Sequence, residues 1–134
     1  MIRNPTLLFL ILLGSLAVLS FAPPFPQVSA GHDETCVRDS DGTISCVGDN
    51  PYFALVPSGA YSQVRAGWLH GCALASDRTV ACRGYNEDGR ASPPIGHFLM
   101  VTVGHMHSCA LAEDYYVVCW GDNSRGQSQV PAEL

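Results

Sequence analysis

The sequence predicts an all-β domain made of three repeats, preceded by an apolar N-terminal segment. Two observations indicate the repeats: cysteine pairs ten residues apart occur three times, and a hairpin pattern lies between the members of each pair. Self-similarity with a period of about 20–50 residues is typical of solenoids, propellers and other arrays. A length of 134 residues is enough for one small domain.

The N-terminal segment is an uncharged, apolar run over residues 7–22, with Arg3 just before it. Its length lies between a signal-peptide core of about 7–15 residues and a membrane-spanning helix of about 20. We therefore predict a signal peptide over residues 1–22, with a membrane anchor at residues 7–22 as the alternative. Both interpretations place residues 23–134 outside the cytoplasm, in a secreted, periplasmic or cell-surface protein.

The repeats align on shared positions. Gly31, Gly67 and Gly104 begin equivalent segments, 36 and then 37 residues apart. Two further aligned positions have the same residue type in all three repeats. They are Gly48, Gly84 and Gly121, followed by Asn50, Asn86 and Asn123. These positions predict repeats at about residues 25–60, 61–97 and 98–134. A constant internal spacing in three copies favours one folding unit repeated along the chain.

Each cysteine pair encloses a β-hairpin pattern. Cys72 and Leu74 share one face of a strand, a turn follows, and Val80 and Cys82 share one face of the returning strand. Folding the hairpin brings its two cysteines opposite each other, within disulfide reach. An exported chain also meets the oxidising conditions in which disulfides form. The predicted pairs are Cys36–Cys46, Cys72–Cys82 and Cys109–Cys119.

Composition and spacing argue against several kinds of site. The formal net charge is −5, which argues against nucleic acid as a partner, and the chain contains no Lys for Schiff-base chemistry. His105, His107 and Cys109 alternate along a predicted strand, as metal ligands can. Zinc sites more often carry cysteines two to four residues apart, so we predict no metal and no cofactor.

Two motifs resemble a known family. The segments Ala66-Gly67-x-x-His70-x-Cys72-Ala-Leu74 and Cys119-Trp-Gly-Asp-Asn123-x-x-Gly-Gln127 resemble repeats of the regulator of chromosome condensation, in the short cysteine-paired form of exported bacterial proteins and receptor ectodomains. The third repeat, with Trp120, matches best. The second has Arg83 in place of that Trp. The first departs most, because Glu34 replaces the His and Arg38 takes the apolar position of Leu74.

The resemblance implies that each repeat forms a four-stranded antiparallel blade, and that the chain forms an incomplete β-propeller. It also implies structural roles for His70 and His107. Propellers typically close with about 4–8 blades, whereas three repeats are present. Three interpretations stay open: the chain is a fragment, several copies complete a ring as a homo-oligomer, or the blades form an open arc.

The remaining candidates favour binding over catalysis. His32, His97 and His105 are expected at the surface without a repeat position, no serine lies in a nucleophile elbow, and no enzyme activity is predicted. Apolar side chains at Tyr52, Phe53 and Leu55 and the loop residue Arg90 are the predicted interface. We expect an exported protein that binds a protein or other macromolecule. A self-assembling structural unit is the alternative, and a guanine-nucleotide exchange factor is a weaker one that rests on family analogy.

Overall fold

A computed structural model of the protein describes residues 25–49 and 58–131. Within these ranges the chain forms nine β-strands and no helix, and the strands make three antiparallel sheets, one per repeat. The predicted all-β fold class is therefore confirmed. The predicted signal or anchor segment, residues 1–22, lies outside the described ranges. None of the described residues belongs to a helix long and apolar enough to cross a membrane.

The nine strands follow the chain in order within each sheet. The first sheet contains β1 (Gln27–Ala30), β2 (Glu34–Arg38) and β3 (Ile44–Gly48); the second contains β4 (Tyr61–Ala66), β5 (His70–Ala75) and β6 (Val80–Gly84); the third contains β7 (Phe98–Val103), β8 (His107–Ala112) and β9 (Val117–Gly121). Adjacent strands are joined by short connections, so each sheet is a simple meander.

Each described sheet has three strands, where the resemblance implied four. After β6 the chain forms turns instead of a fourth strand: Asn86 Oδ1 accepts the N–H of Ala91 at 2.8 Å, and Pro93 and Pro94 have no N–H for a sheet ladder. After β9 the same arrangement recurs, with Asn123 Oδ1 accepting the N–H of another turn residue, Ser128, at 3.0 Å. The repeated Asn thus ends the sheet by a side-chain turn.

The hairpin register places the cysteines of each repeat directly opposite each other. Cys36 faces Cys46, Cys72 faces Cys82, and Cys109 faces Cys119. The structure joins each of these pairs, with S–S distances of 2.10, 2.07 and 2.07 Å. The described residues contain no free cysteine. Each disulfide therefore staples the two strands of one hairpin.

Neighbouring sheets are held together by the same contacts at both junctions. Gln27 Oε1 accepts the N–H of Val64 at 2.9 Å, and Gln63 Oε1 accepts the N–H of Val101 at 3.2 Å. The repeat glycines also recur at these junctions, because a Cβ on Gly67 would lie 2.7 Å from the carbonyl oxygen of Gly104. Only a glycine permits this close approach of two backbones.

The apolar core lies between the sheets. Cys72, Leu74 and Cys82 of the second sheet pack against Phe98 and Val101 of the third, and all five are buried. A smaller cluster of Cys36, Val64 and Ala66 fills the junction of the first and second sheets. The first two disulfides are therefore part of the core that joins their repeats to the next, in addition to closing their own hairpins.

Candidate binding surface

The predicted structural histidine His70 lies in the junction between the second and third repeats. It starts β5, it is fully buried, and its Nε2 lies 3.0 Å from the Ser108 Oγ of β8. Its Nδ1 lies 3.2 Å from the carbonyl oxygen of Trp68. Burial lowers the pKa of His70, so the ring is neutral at pH 7. The neutral ring then donates through Nδ1–H to Trp68 and accepts the Ser108 hydroxyl proton at Nε2.

His107, the equivalent position in the third repeat, is half-buried. Its ring packs over Gly104, where an added Cβ would lie 2.5 Å from the imidazole Cε1. The two repeat histidines therefore have different surroundings, because a following repeat packs on His70 among the described residues, whereas His107 belongs to the last sheet. Neither ring lies in a group of three metal-binding side chains, and the described residues contain no such group.

Arg90 is not the exposed interface residue that the sequence predicted. Its side chain is 1% exposed, and its guanidinium forms a paired contact with the Asp88 carboxylate, with Nε–Oδ1 at 2.7 Å. The same guanidinium lies over the rings of Trp68 and Tyr85, at 5.7 and 5.0 Å from their centroids. Arg90 was predicted as an interface residue on a loop, but two aromatic rings and one carboxylate cover its side chain.

The backbone of Arg90 holds the third repeat as well. Its carbonyl oxygen accepts the indole N–H of Trp120 at 2.9 Å. The loop between β6 and β7 is thereby fixed to the third blade by Trp120, while Asp88 and Tyr85 of the same loop hold the Arg90 side chain. The paired guanidinium lowers the pKa of the Asp88 carboxyl, chiefly by hydrogen bonding to it.

A ring stack lies directly above this buried arginine. Trp68 and His105 stack with centroids 4.2 Å apart and planes inclined by 9°. Trp68 is half-buried and His105 is exposed. Both residues follow a repeat glycine, as His32 does in the first repeat, so the prediction that His32 and His105 lack a repeat position is wrong. This aligned position was missed because it is a Trp in the second repeat and a His in the first and third.

We call Trp68, His105, Tyr85 and Glu87 the Trp68 rim. Tyr85 donates its hydroxyl hydrogen bond to the exposed Glu87 carboxylate, and this bond raises the pKa of Tyr85. The rim therefore combines a stacked aromatic face with one carboxylate, and a buried cation lies beneath it. Such a surface is fixed before any partner arrives, so binding would cost little side-chain entropy.

The aromatic loop predicted as an interface is not described. Tyr52, Phe53 and Leu55, together with the repeat residue Asn50, lie outside the described ranges. Their role stays a prediction.

Comparison with known sequences finds a family match for the second and third repeats. Residues 61–90 and 101–127 match the profile of the regulator of chromosome condensation (RCC1) repeat. No curated protein matches the chain. The resemblance noted from the two sequence motifs is therefore supported on the second and third repeats, which are the two that carry those motifs.

Solved structures similar to this chain are β-propellers. The ectodomain of the Physcomitrella patens receptor kinase CR4 is 32% identical and has a TM-score of 0.62, over 72% of this chain and 29% of that one. The CRINKLY WD40 ectodomain of the Arabidopsis thaliana receptor kinase ACR4 is 27% identical and has a TM-score of 0.61, over 71% and 35%. Yeast RCC1 (Prp20), solved with Kap60, is 15% identical and has a TM-score of 0.62, over 72% and 32%, and so shows the fold alone. This chain spans about a third of the length of these structures.

Proposed function

We propose that this chain, which carries repeats of the regulator of chromosome condensation family, is an exported, non-catalytic protein that binds another protein through its propeller-type blades. We further propose that residues 1–22 are its export segment and that residues 23–134 hold the binding domain. The Trp68 rim is the observation that carries this proposal, because it is a partly exposed aromatic surface whose side chains are held by contacts with one another and with Arg90.

The rim has the composition of a protein interface. Aromatic side chains and arginine are enriched at energetically important interface positions, where a rigid ring adds contact area without ordering a long side chain. The ring of His105 stacks on a face of the Trp68 ring, and the Arg90 guanidinium lies within cation–π distance of the same ring. An incoming apolar or cationic side chain would meet a ring that is already in place, beside the Glu87 carboxylate.

The His–Ser pair supports a non-catalytic role. His70 and Ser108 are both fully buried, and each is committed to the blade junction. A substrate cannot reach a nucleophile in this position without separating two sheets. We propose that the contact acts as a structural junction, in line with the role that the family resemblance implies for His70.

Export is supported by two independent features. Three disulfides are typical of a protein that folds in an oxidising compartment outside the cytoplasm. The two plant structures that resemble this chain are both receptor ectodomains. The apolar segment at residues 7–22 supplies a route for export, and a propeller-type surface outside the cell then has other exported or cell-surface proteins as its available partners.

A site-specific photo-crosslinker at position 105 tests the binding surface. Installed in the exporting host, it should give a covalent adduct with one discrete second protein. Trp68→Ala in the same chain should abolish that adduct, because it removes the central ring of the rim. The matched control carries the crosslinker at Tyr116, which is 70% exposed and lies in the turn of the third hairpin. Adducts of equal yield at both positions, or unchanged by Trp68→Ala, would count against the rim.

A further inference from the structure

The two junctions between described repeats use equivalent residues, and the same positions are open at the two ends of the array. Each repeat starts with an aromatic residue followed three positions later by valine: Phe25 and Val28, Tyr61 and Val64, Phe98 and Val101. In the second and third repeats these residues are buried: the aromatic residues Tyr61 and Phe98 are 5% and 3% exposed, and both valines are 0% exposed. In the first repeat Phe25 is 74% exposed and Val28 is 68% exposed.

We call this open surface of the first sheet the head face. It comprises Phe25, Val28, Val37 and Val47, all of them exposed. Val37 corresponds to Ala73 and Ala110, which are each 2% exposed in the two intact junctions. The head face is therefore the surface that a preceding blade covers in the other repeats. The strand register places Val28, Val37 and Val47 on one side of the first sheet, and Phe25 lies just before β1. Exposed apolar side chains grouped in this way form a patch of the kind that marks an interaction site.

The opposite end of the array carries the complementary surface. In the second repeat, Cys72, Leu74 and Cys82 are 0%, 3% and 5% exposed because the third repeat packs on them. Their equivalents in the third repeat, Cys109, Leu111 and Cys119, are only half-buried. We call these three residues together with Val117 the tail face.

Backbone groups at the tail face are positioned in the same way as at the intact junctions. The carbonyl oxygen of Gly42 accepts the N–H of Tyr61 at 2.9 Å, and that of Arg78 accepts the N–H of Phe98 at 2.8 Å. Tyr115 is the equivalent turn residue in the third repeat, and its φ of 67° matches the 69° of Arg78. The residue that would donate to Tyr115 in another copy is Phe25, the first aromatic of the head face.

One position differs from the internal junctions. Gln27 and Gln63 each bond the next repeat, and their equivalent in the third repeat is Met100, which is 47% exposed. Met100 has no side-chain oxygen to accept the N–H of Val28, so the hydrogen bond of the internal junctions is replaced here by apolar contact of a flexible side chain with the head face. Met100 thus extends the tail side of a junction that is more apolar than the internal ones.

From this equivalence we infer that a second copy of this chain binds head to tail, with the tail face of one copy covering the head face of the other. A head-to-tail contact that repeats around a two-fold axis closes on itself. Two copies with three sheets each would form a six-bladed ring, within the range of about 4–8 blades that propellers use. This assembly leaves the Trp68 rim outside both faces, so it does not rest on the proposed binding function.

Native mass spectrometry of the exported protein tests the assembly. Wild type should be a dimer, and Val28→Asp should raise the dimer dissociation constant about tenfold or more, because it buries a carboxylate in an apolar junction. The control is Ile95→Asp, since Ile95 is fully exposed and lies on neither face. Circular dichroism and disulfide mapping establish that each variant is folded.

The head-to-tail arrangement has a test of its own. Leu111→Asp on the tail face should also give monomers, and Val117→Asp serves as a second tail variant. Mixing the Val28→Asp and Leu111→Asp proteins should restore a dimer with one copy of each, because that pair retains one intact junction. A monomeric wild type, a dimer that survives Val28→Asp or is lost in Ile95→Asp, or a dimer insensitive to both tail variants would overturn the proposal.

Discussion

The imidazole Nε2 of His70 lies 3.0 Å from the hydroxyl oxygen of Ser108, and this contact joins β5 of the second repeat to β8 of the third. Both residues are fully buried, so neither can exchange its partner for water. The contact gives His70 a structural role in this junction. It is one of several polar contacts there, together with Gln63 Oε1 accepting the N–H of Val101, and it lies beside an apolar cluster that includes a disulfide, a leucine and a valine.

Ser108→Ala should lower the free energy of unfolding by about 1–3 kcal/mol, because it leaves a buried imidazole nitrogen without a hydrogen-bond partner. Urea unfolding followed by fluorescence measures the change. The control is Ser40→Ala in the exposed turn of the first hairpin, which should be nearly neutral. Equal losses of unfolding free energy in the two variants would show that the His70–Ser108 contact does not stabilise the junction.

Stability should decrease as the pH falls below about 6.5, because burial lowers the pKa of His70 from its ordinary value of 6.5. Below that value the unfolded chain binds a proton that the folded chain does not, so the slope of unfolding free energy against pH is positive. The loss should begin near pH 6.5, reach at most about 1.4 kcal/mol per pH unit, and stop below the folded pKa.

His70→Gln isolates this effect, since glutamine can occupy the junction but does not titrate. The difference in unfolding free energy between wild type and this variant should shrink from pH 7.5 to pH 5.5. A difference that stays constant across this interval would assign the pH dependence to other groups. The carboxyl groups whose pKa is lowered, such as Asp88 and Asp122, titrate below their ordinary pKa of 3.8. Their titration therefore does not contribute to a stability change between pH 7.5 and pH 5.5.

Asp88→Asn should destabilise the fold by about 2–3 kcal/mol, because it leaves the buried Arg90 guanidinium without its carboxylate. The Asp88 side chain is 23% exposed, which keeps the expected loss below that of a fully buried pair. Glu113→Gln is the matched control. It breaks the pair of Arg78 and Glu113, whose side chains are 52% and 43% exposed, and should cost no more than about 0.5 kcal/mol.

Thermal unfolding of both variants provides the comparison. Similar losses in the two would show that the Arg90 clamp behaves as an ordinary surface ion pair. Asp88→Asn should also reduce the near-ultraviolet circular dichroism of Trp68, because the guanidinium that lies over the ring is no longer held. Glu113→Gln should leave that signal unchanged.

Local patterns predicted the hairpins and missed the contacts between repeats. Cys72 and Cys82 could be paired from the sequence because strand alternation and one short turn fix their register. The burial of Arg90 was not predicted, because its side chain is buried by Trp68, Tyr85 and Asp88. The direction of the Asp88 side chain depends on the turn in which it lies. The fourth strand was expected from the family alone. Asn86 and the following prolines replace it with turns in this chain.

Replacing Cys72 and Cys82 together by Ala should cost about 3 kcal/mol or more, whereas the same change at Cys109 and Cys119 should cost less. Both disulfides close loops of equal length, so the entropic part, about 2.5–3 kcal/mol, is the same. The first pair is buried at 0% and 5% exposure, so its loss also leaves a cavity. Thermal unfolding of the two double variants measures the difference, and an equal or reversed order would contradict it.

Tyr115→Gly should stabilise the protein by up to about 1 kcal/mol, because Tyr115 has a φ of 67° that glycine adopts without steric cost. Gly42 already occupies the equivalent turn of the first repeat, with a φ of 88°. Tyr116→Gly is the control: this neighbour is similarly exposed but has no positive φ, so glycine should destabilise it through the added freedom of the unfolded chain. Chemical unfolding should therefore move the two variants in opposite directions, and a shift of the same sign in both would show that side-chain contacts outweigh backbone strain in this hairpin.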